Sequence, residues 1–192
     1  MNIPNALTCL RIVLTFVFLF LLFLNGLLVK ILALVVFLAA SITDYWDGKI
    51  ARSTHQVTAF GRVMDPIADK FLALSAFIGF SQKGLIAAWM VVLVAARDFL
   101  ITGIRLAIPQ KASSPSGENL HAARSSGKNK TVLQFVFILF VLSFLVFKET
   151  AFWNPAWEAT WIRVIRASMA VVVIVTLWSG TRYLIKNREL FE

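Results

Sequence analysis

The chain has 192 residues, of which 59% are drawn from AVILMFWYC and 15% are charged, with a formal net charge of +9. A soluble domain is about 45–50% apolar and about 25% charged, so disorder, a coiled coil and a nucleic-acid-binding domain all fit poorly, and the mean hydropathy of +0.79 points to a membrane protein. The basic residues mostly flank apolar runs, which suits membrane topology and anionic headgroups better than nucleic acid. The single Cys9 excludes an intrachain disulfide and a cysteine-based metal cluster.

A membrane-crossing helix needs about 20 mainly apolar residues. Between Arg11 and Lys30 there are 18 residues without a charge. This first run is too long for the apolar region of a signal peptide and no small-residue cleavage site follows it, so it reads as a retained span. In chain order the apolar pattern predicts six transmembrane helices, at 6–24, 28–47, 62–81, 85–107, 130–147 and 163–184. The expectation is therefore an all-α integral membrane protein with one domain over 1–192. A polar stretch rich in Ser, Gly and Pro separates the fourth and fifth spans and predicts a loop over about 109–128. The connection between the last two spans carries Trp153, Trp157 and Trp161 and reads as an interfacial aromatic belt.

Lys and Arg set the orientation. Arg11, Lys49, Arg52, Arg62, Arg105, Lys111, Arg124, Lys128, Lys130, Arg182, Lys186 and Arg188 fall on one side; Lys30, Lys83, Lys148, Arg163 and Arg166 fall on the other. The larger set marks the cytoplasmic face, which places both termini and the two longer loops there.

Four of the ten acids sit where an acid is expensive. Asp44 and Asp47 end the second span, and Asp65 and Asp69 begin the third. An ionised carboxylate at membrane depth costs several kcal/mol unless it is paired or bound to a cation. Residues three or four apart share a helix face, so each pair lies on one face, and a short turn between the helices brings both pairs to the same cytoplasmic level. Four converging carboxylates need positive charge between them. Oxygen-only ligands select a hard cation, Mg²⁺ or Mn²⁺, which completes its shell with substrate phosphates. The alternative is a set of salt bridges to Arg52, Arg62 and Lys70. Gly48 and Gly61 leave room for a ligand or for close helix packing, and the Arg52 fork suits phosphate.

Asp44-x2-Asp47-Gly48-x2-Ala51-Arg52-x8-Gly61-x3-Asp65-x3-Asp69 resembles the signature of the CDP-alcohol phosphatidyltransferase family at all eight fixed positions. The resemblance implies a six-helix fold whose active site lies at the cytoplasmic end of helices 2 and 3. It also implies transfer of a phosphatidyl group from CDP-diacylglycerol to an alcohol with two metal ions. Asp44, Asp47, Asp65 and Asp69 would be metal ligands, with Asp69 also the catalytic base, and Gly48, Ala51, Arg52 and Gly61 would border the CDP moiety.

Three further stretches are similar to the branch of the family that uses glycerol 3-phosphate: the opening around Asn5, Thr8 and Arg11, the run Met64–Lys70, and Arg97-Asp98 with Arg105 followed by Gly127–Thr131. Such an acceptor carries a dianionic phosphate that needs cations: Arg97 and Arg105 lie eight apart, roughly on one side of the fourth helix, and Lys128 and Lys130 start the fifth, so all four could meet it in one cytoplasmic pocket, and Asn5, Thr8 and Arg11 could reach the diphosphate. Each has a structural alternative: positive-inside topology for Arg105, Lys128 and Lys130, an ion pair with Asp98 or a contact with the fifth helix for Arg97, and a helix cap for the N-terminal group. The resemblance also implies a homodimer in a bacterial cytoplasmic (inner) membrane among membrane lipids, with no nucleic acid. Rival readings are the same family with inositol phosphate or serine as acceptor, an intramembrane prenyltransferase, and a cation transporter with acids at depth.

Overall fold

A computed structural model describes the backbone of residues 3–54, 59–107 and 118–186, and the side chains of 9–43, 70–104 and 131–185. Six long α-helices account for nearly all of it: α1 (Ile3–Phe23), α2 (Leu27–Thr54), α3 (Ala59–Gln82), α4 (Ala88–Ala107), α5 (Glu118–Lys148) and α6 (Glu158–Lys186), with a single 3₁₀ turn at Pro155–Trp157. No strand occurs among the described residues. Each of the six apolar runs falls largely on one helix; α1 ends at Phe23 and α4 starts only at Ala88, three residues inside the expected 85–107, while α2, α3, α5 and α6 outrun their apolar parts. α2 continues to Thr54 and α3 starts at Ala59, because hydropathy marks the apolar part of a helix, whereas backbone hydrogen bonding continues through polar helix formers. The expected 109–128 loop is corrected for the same reason. α5 begins at Glu118, directly after Pro115-Ser-Gly117, and Glu-Asn-Leu-His-Ala-Ala-Arg contains no helix breaker. Residues 118–128 therefore belong to a helix; 108–117 lie outside the described residues.

The molecule is apolar outside as well as inside, unlike a soluble bundle. Phe20, Leu28 and Ile174 are each at least 66% exposed, and Phe16, Val92 and Trp178 also face outward, while Arg11, Lys30, Gln134 and Ser179 are buried. An apolar exterior of this extent marks a surface covered by something other than water. The described part of α5, Thr131–Lys148, and the stretch Pro155–Ile185 are each long and apolar enough to cross a membrane; Cys9–Phe23 and Leu27–Thr43 are shorter apolar helices. Several hydroxyls on these helices fold back onto the carbonyl four residues earlier: Thr15 onto Arg11, Ser41 onto Phe37, Thr102 onto Asp98 and Ser168 onto Val164.

Phenylalanine supplies the ring contacts that tie the helices together in the interior. Phe18, Phe37 and Phe135 stack in series across α1, α2 and α5, with ring centroids 5.4 and 5.6 Å apart, and Phe77 of α3 meets Phe137 of α5 at 6.0 Å. Such pairs add about 0.5–1.5 kcal/mol each beyond area burial. α1 and α3 approach closely because position 79 is glycine: a Cβ there would stand 2.4 Å from Leu22 Cδ2.

The three short connections meet at one end of the bundle and lock there. The Gly26 N–H donates to Glu149 Oε2 at 3.2 Å, and Arg166 donates to the Gly84 carbonyl at 3.1 Å. Lys30 Nζ caps the end of α1, donating to the Leu22 carbonyl at 2.8 Å and also to that of Leu24. Lys148 pairs with Glu158, and Lys83 sits 5.5 Å from the Phe23 ring centroid. Trp153 and Trp161 pack on Phe144 at 5.6 Å, so these two do more than face an interface; Trp157 and Phe152 remain exposed.

α3 ends in a Schellman motif: Gly84 at φ 72° donates to the Ser81 carbonyl at 2.9 Å, and Leu85 donates to that of Phe80 at 3.0 Å. Leu85 and Phe80 are both buried, which supplies the hydrophobic contact of that motif. Gly84→Ala is expected to cost about 1–2 kcal/mol, the penalty of an L side chain in the left-handed region. A lowered thermal unfolding midpoint of the detergent-solubilised protein checks this; an unchanged midpoint would contradict it.

Candidate functional site

Opposite the locked end, α2 leads into α3 and α4 leads toward α5. Asp44, Asp47, Gly48, Ala51 and Arg52 lie on the last turns of α2, and Gly61, Asp65 and Asp69 on the first turns of α3. The two helices touch. On α2 the buried positions Ala33, Phe37 and Ala40 recur at intervals of four and three, and Asp44 and Asp47 follow in the same register. On α3, Asp65 and Asp69 precede Leu72, Ala76 and Phe80 at similar spacing. The side chains of these eight residues lie outside the described residues, as do those of Asn5, Thr8, Arg105, Lys128 and Lys130. Among the described residues no group of three or more His, Cys, Asp or Glu comes together. The fixed acidic positions of the motif are four carboxylates, with His55 and Met64 only at its variable positions, and a carboxylate donor set fits a hard divalent cation.

Two of the expected site residues are described in full. Arg11 is buried, 2% exposed, on the inner face of α1. Arg97 lies in the seam where α4 meets α6. Its Nη1 is 3.2 Å from Asp98 Oδ1, and both side chains are largely buried, at 11% and 13% exposure. Nη2 donates to Ser179 Oγ of α6 at 3.1 Å. The second carboxylate oxygen of Asp98 accepts from Gln134 Nε2 of α5 at 3.4 Å. The expected contact with the fifth helix is thus made through Asp98, and the network also reaches the sixth. Breaking a buried charge pair costs about 3–5 kcal/mol, so Arg97 and Asp98 depend on one another.

Gln134, Ser179 and Gly180 were not singled out by sequence pattern. Gln134 carries a signal in hindsight: it is the sole amide side chain within the apolar stretch Thr131–Lys148. A Ser-Gly pair in a membrane helix has no comparable signal, since small residues there commonly serve packing alone.

The family model described as CDP-alcohol phosphatidyltransferase matches residues 1–178. A Mycobacterium tuberculosis protein named "Probable phosphatidylglycerophosphate synthase" is 41% identical over 145 residues, which cover 73% of this chain and 66% of that one. A Bacillus subtilis protein named CDP-diacylglycerol–glycerol-3-phosphate 3-phosphatidyltransferase is 35% identical over 158 residues, 82% of this chain and 74% of its own. A Shigella flexneri protein of the same name is 30% identical over 188 residues, 95% and 93% of the two chains. The matched region takes in the paired aspartates, the Arg97 network up to its α4 and α5 members, and most of α6, and the chain belongs to the CDP-alcohol phosphatidyltransferase family.

Proposed function

We propose that this chain transfers the phosphatidyl group of CDP-diacylglycerol to glycerol 3-phosphate, giving phosphatidylglycerophosphate and CMP. The observation that carries the reading is the complete aspartate signature between Asp44 and Asp69, supported by relatives whose names state this reaction. The acceptor follows from those names and from the cluster of basic residues on α4 and α5. Serine, lacking a phosphate, would give that cluster no ligand.

The residues divide the work by chemistry. Gly48 and Ala51, with little or no side chain, let the CDP moiety approach the α2 backbone, and Arg52 offers its planar fork to the diphosphate. Gly61 does the same at the start of α3. Asp44, Asp47, Asp65 and Asp69 hold Mg²⁺ or Mn²⁺, as two ions, which when bound supplies positive charge against the diphosphate. Asp69 takes the proton from the acceptor hydroxyl. The freed oxygen forms a new bond to the phosphatidyl phosphorus, and the phosphorus–oxygen bond to CMP breaks. An aspartate is a weak base at neutral pH, so its effect rests on being held next to the hydroxyl. Arg97, Arg105, Lys128 and Lys130 bind the acceptor's phosphate, and Asn5, Thr8 and Arg11 border the diphosphate. The whole chain forms one domain of six spans, with both termini and the site on the cytoplasmic side of a bacterial inner membrane, and works as a homodimer.

Purified protein in detergent, given CDP-diacylglycerol, is expected to release CMP only with glycerol 3-phosphate and a divalent cation, and not in EDTA. Asp69→Ala should lower kcat by about 10²–10⁴-fold, the usual contribution of a positioned base. Release with serine or inositol phosphate instead would overturn the acceptor; no release from folded protein with any acceptor would return the cation transporter to consideration.

Cys9 is the lone cysteine, which makes the topology directly testable. In a Cys9→Ser background, Phe152→Cys should react with a membrane-impermeant maleimide in intact spheroplasts, and Ser113→Cys only after the inner face is opened. The reverse pattern would invert the orientation, and labelling of both from one side would break the six-span count.

A further inference from the structure

Arg97 is held more tightly than a topology-setting arginine needs to be. Its Nη1 reaches Asp98 and its Nη2 reaches Ser179. The buried Nε has no hydrogen-bond partner among the described residues. It lies beside a glycine: a Cβ on Gly180 would stand 2.8 Å from Arg97 Nε, 2.9 Å from Cγ and 3.4 Å from Cδ. Those atoms are the stem of the side chain, so an added methyl group could not be accommodated by swinging the tip alone. Ser179 and Gly180 are adjacent on α6, and both are buried. One fixes a terminal nitrogen of the fork and the other leaves the space through which the stem passes. Each terminal nitrogen of a guanidinium carries two N–H groups, so one on Nη1 and one on Nη2 stay uncommitted to any described residue.

We propose that Ser179 and Gly180 of α6 are positioning residues that aim the Arg97 fork at the acceptor's phosphate, so that α6 forms a specificity-setting wall of the acceptor site. The inference rests on the reading of Arg97 as an acceptor ligand. Ser179 and Gly180 touch the arginine and act through it. A fork displaced by a few tenths of an ångström loses the paired geometry that distinguishes a phosphate-bearing alcohol from a neutral one.

The test is steady-state kinetics on the full chain in detergent, with Arg97→Ala, Gly180→Ala, Ser179→Ala and Ser179→Thr, alongside thermal unfolding of each. Arg97→Ala should raise KM for glycerol 3-phosphate most. Gly180→Ala and Ser179→Ala should each raise it by about tenfold, the size of one charge-assisted hydrogen bond, with KM for CDP-diacylglycerol held within about twofold. Ser179→Thr, which keeps the hydroxyl, should restore most of the loss. In an Arg97→Ala background Gly180→Ala should add nothing further. If Gly180→Ala fails to fold, the Ser179→Ala and Ser179→Thr contrast still decides. An unchanged KM for glycerol 3-phosphate in the α6 variants, with Arg97→Ala raising it, would overturn the positioning role and leave the Arg97 reading intact. An unchanged value in Arg97→Ala would overturn that reading, and this inference with it. Parallel loss of both KM values, kcat and unfolding midpoint would reduce Ser179 and Gly180 to packing.

Discussion

Hydrocarbon is the solvent that shapes this molecule. A chain whose outer face is phenylalanine, leucine, isoleucine and valine can carry polar chemistry only at the ends of its helices and in the seams between them. Every backbone group at that depth must be satisfied within its own helix, and the hydroxyls that fold back onto carbonyls four residues earlier follow the same rule. The buried polar residues are consequently few, and several of them tie the bundle together. Lys30 caps the end of α1, and Gln134 and Ser179 tie the Arg97–Asp98 pair to α5 and α6.

The two ends of the bundle divide the labour. At one, short connections are cross-linked by contacts between side chains and backbone: Glu149 to Gly26 and Arg166 to Gly84. Positive-φ glycines at 26 and 84 let the chain reverse within a few residues. That end fixes the relative heights of the helices. The paired aspartates and the basic residues of α4 and α5 sit toward the other end, where their spacing along each helix becomes a spacing across the site. A shift of one residue in helix register moves a side chain by about 100° around its axis, so the lock at the far end matters to chemistry it never touches.

Much of this was legible in the sequence, for reasons that differ by feature. Six apolar runs led to six helices because hydrophobic periodicity in a membrane chain is nearly continuous. The helix ends were less legible: α5 starts at Glu118 and α2 continues to Thr54, where polar helix formers continue hydrogen bonding beyond the apolar run. The aspartate motif was legible because four acids at three- and four-residue spacing within apolar flanks have few structural explanations. The surroundings of Arg97 were only half legible. Its neighbour Asp98 is adjacent in sequence, but Ser179 is 82 residues away, and nothing in a Ser-Gly pair says which helix it will face. The packing at Gly79 against Leu22 was hidden for the same reason. Contacts between distant helices depend on the relative rotation of the helices, which local pattern does not encode.

On the proposed reading, the Arg97 pair also constrains how charge is shared in the acceptor site. With Asp98 at 3.2 Å, the two side chains together are nearly neutral, so the guanidinium can orient a phosphate through its remaining N–H groups but contributes little net charge toward neutralising a dianion. On the proposed reading, the balance comes from other basic residues. The sequence candidates are Arg105 on α4 and Lys128 and Lys130 on α5, each with no acid within four residues along the chain. Orientation and neutralisation are then supplied by different residues. A buried, ion-paired arginine gives direction at the cost of charge, and the basic residues nearer the helix ends give charge without needing a fixed geometry. Such a division suits an enzyme that must tell one small phosphorylated alcohol from others beside a membrane surface where anions are abundant, because charge alone would select poorly there.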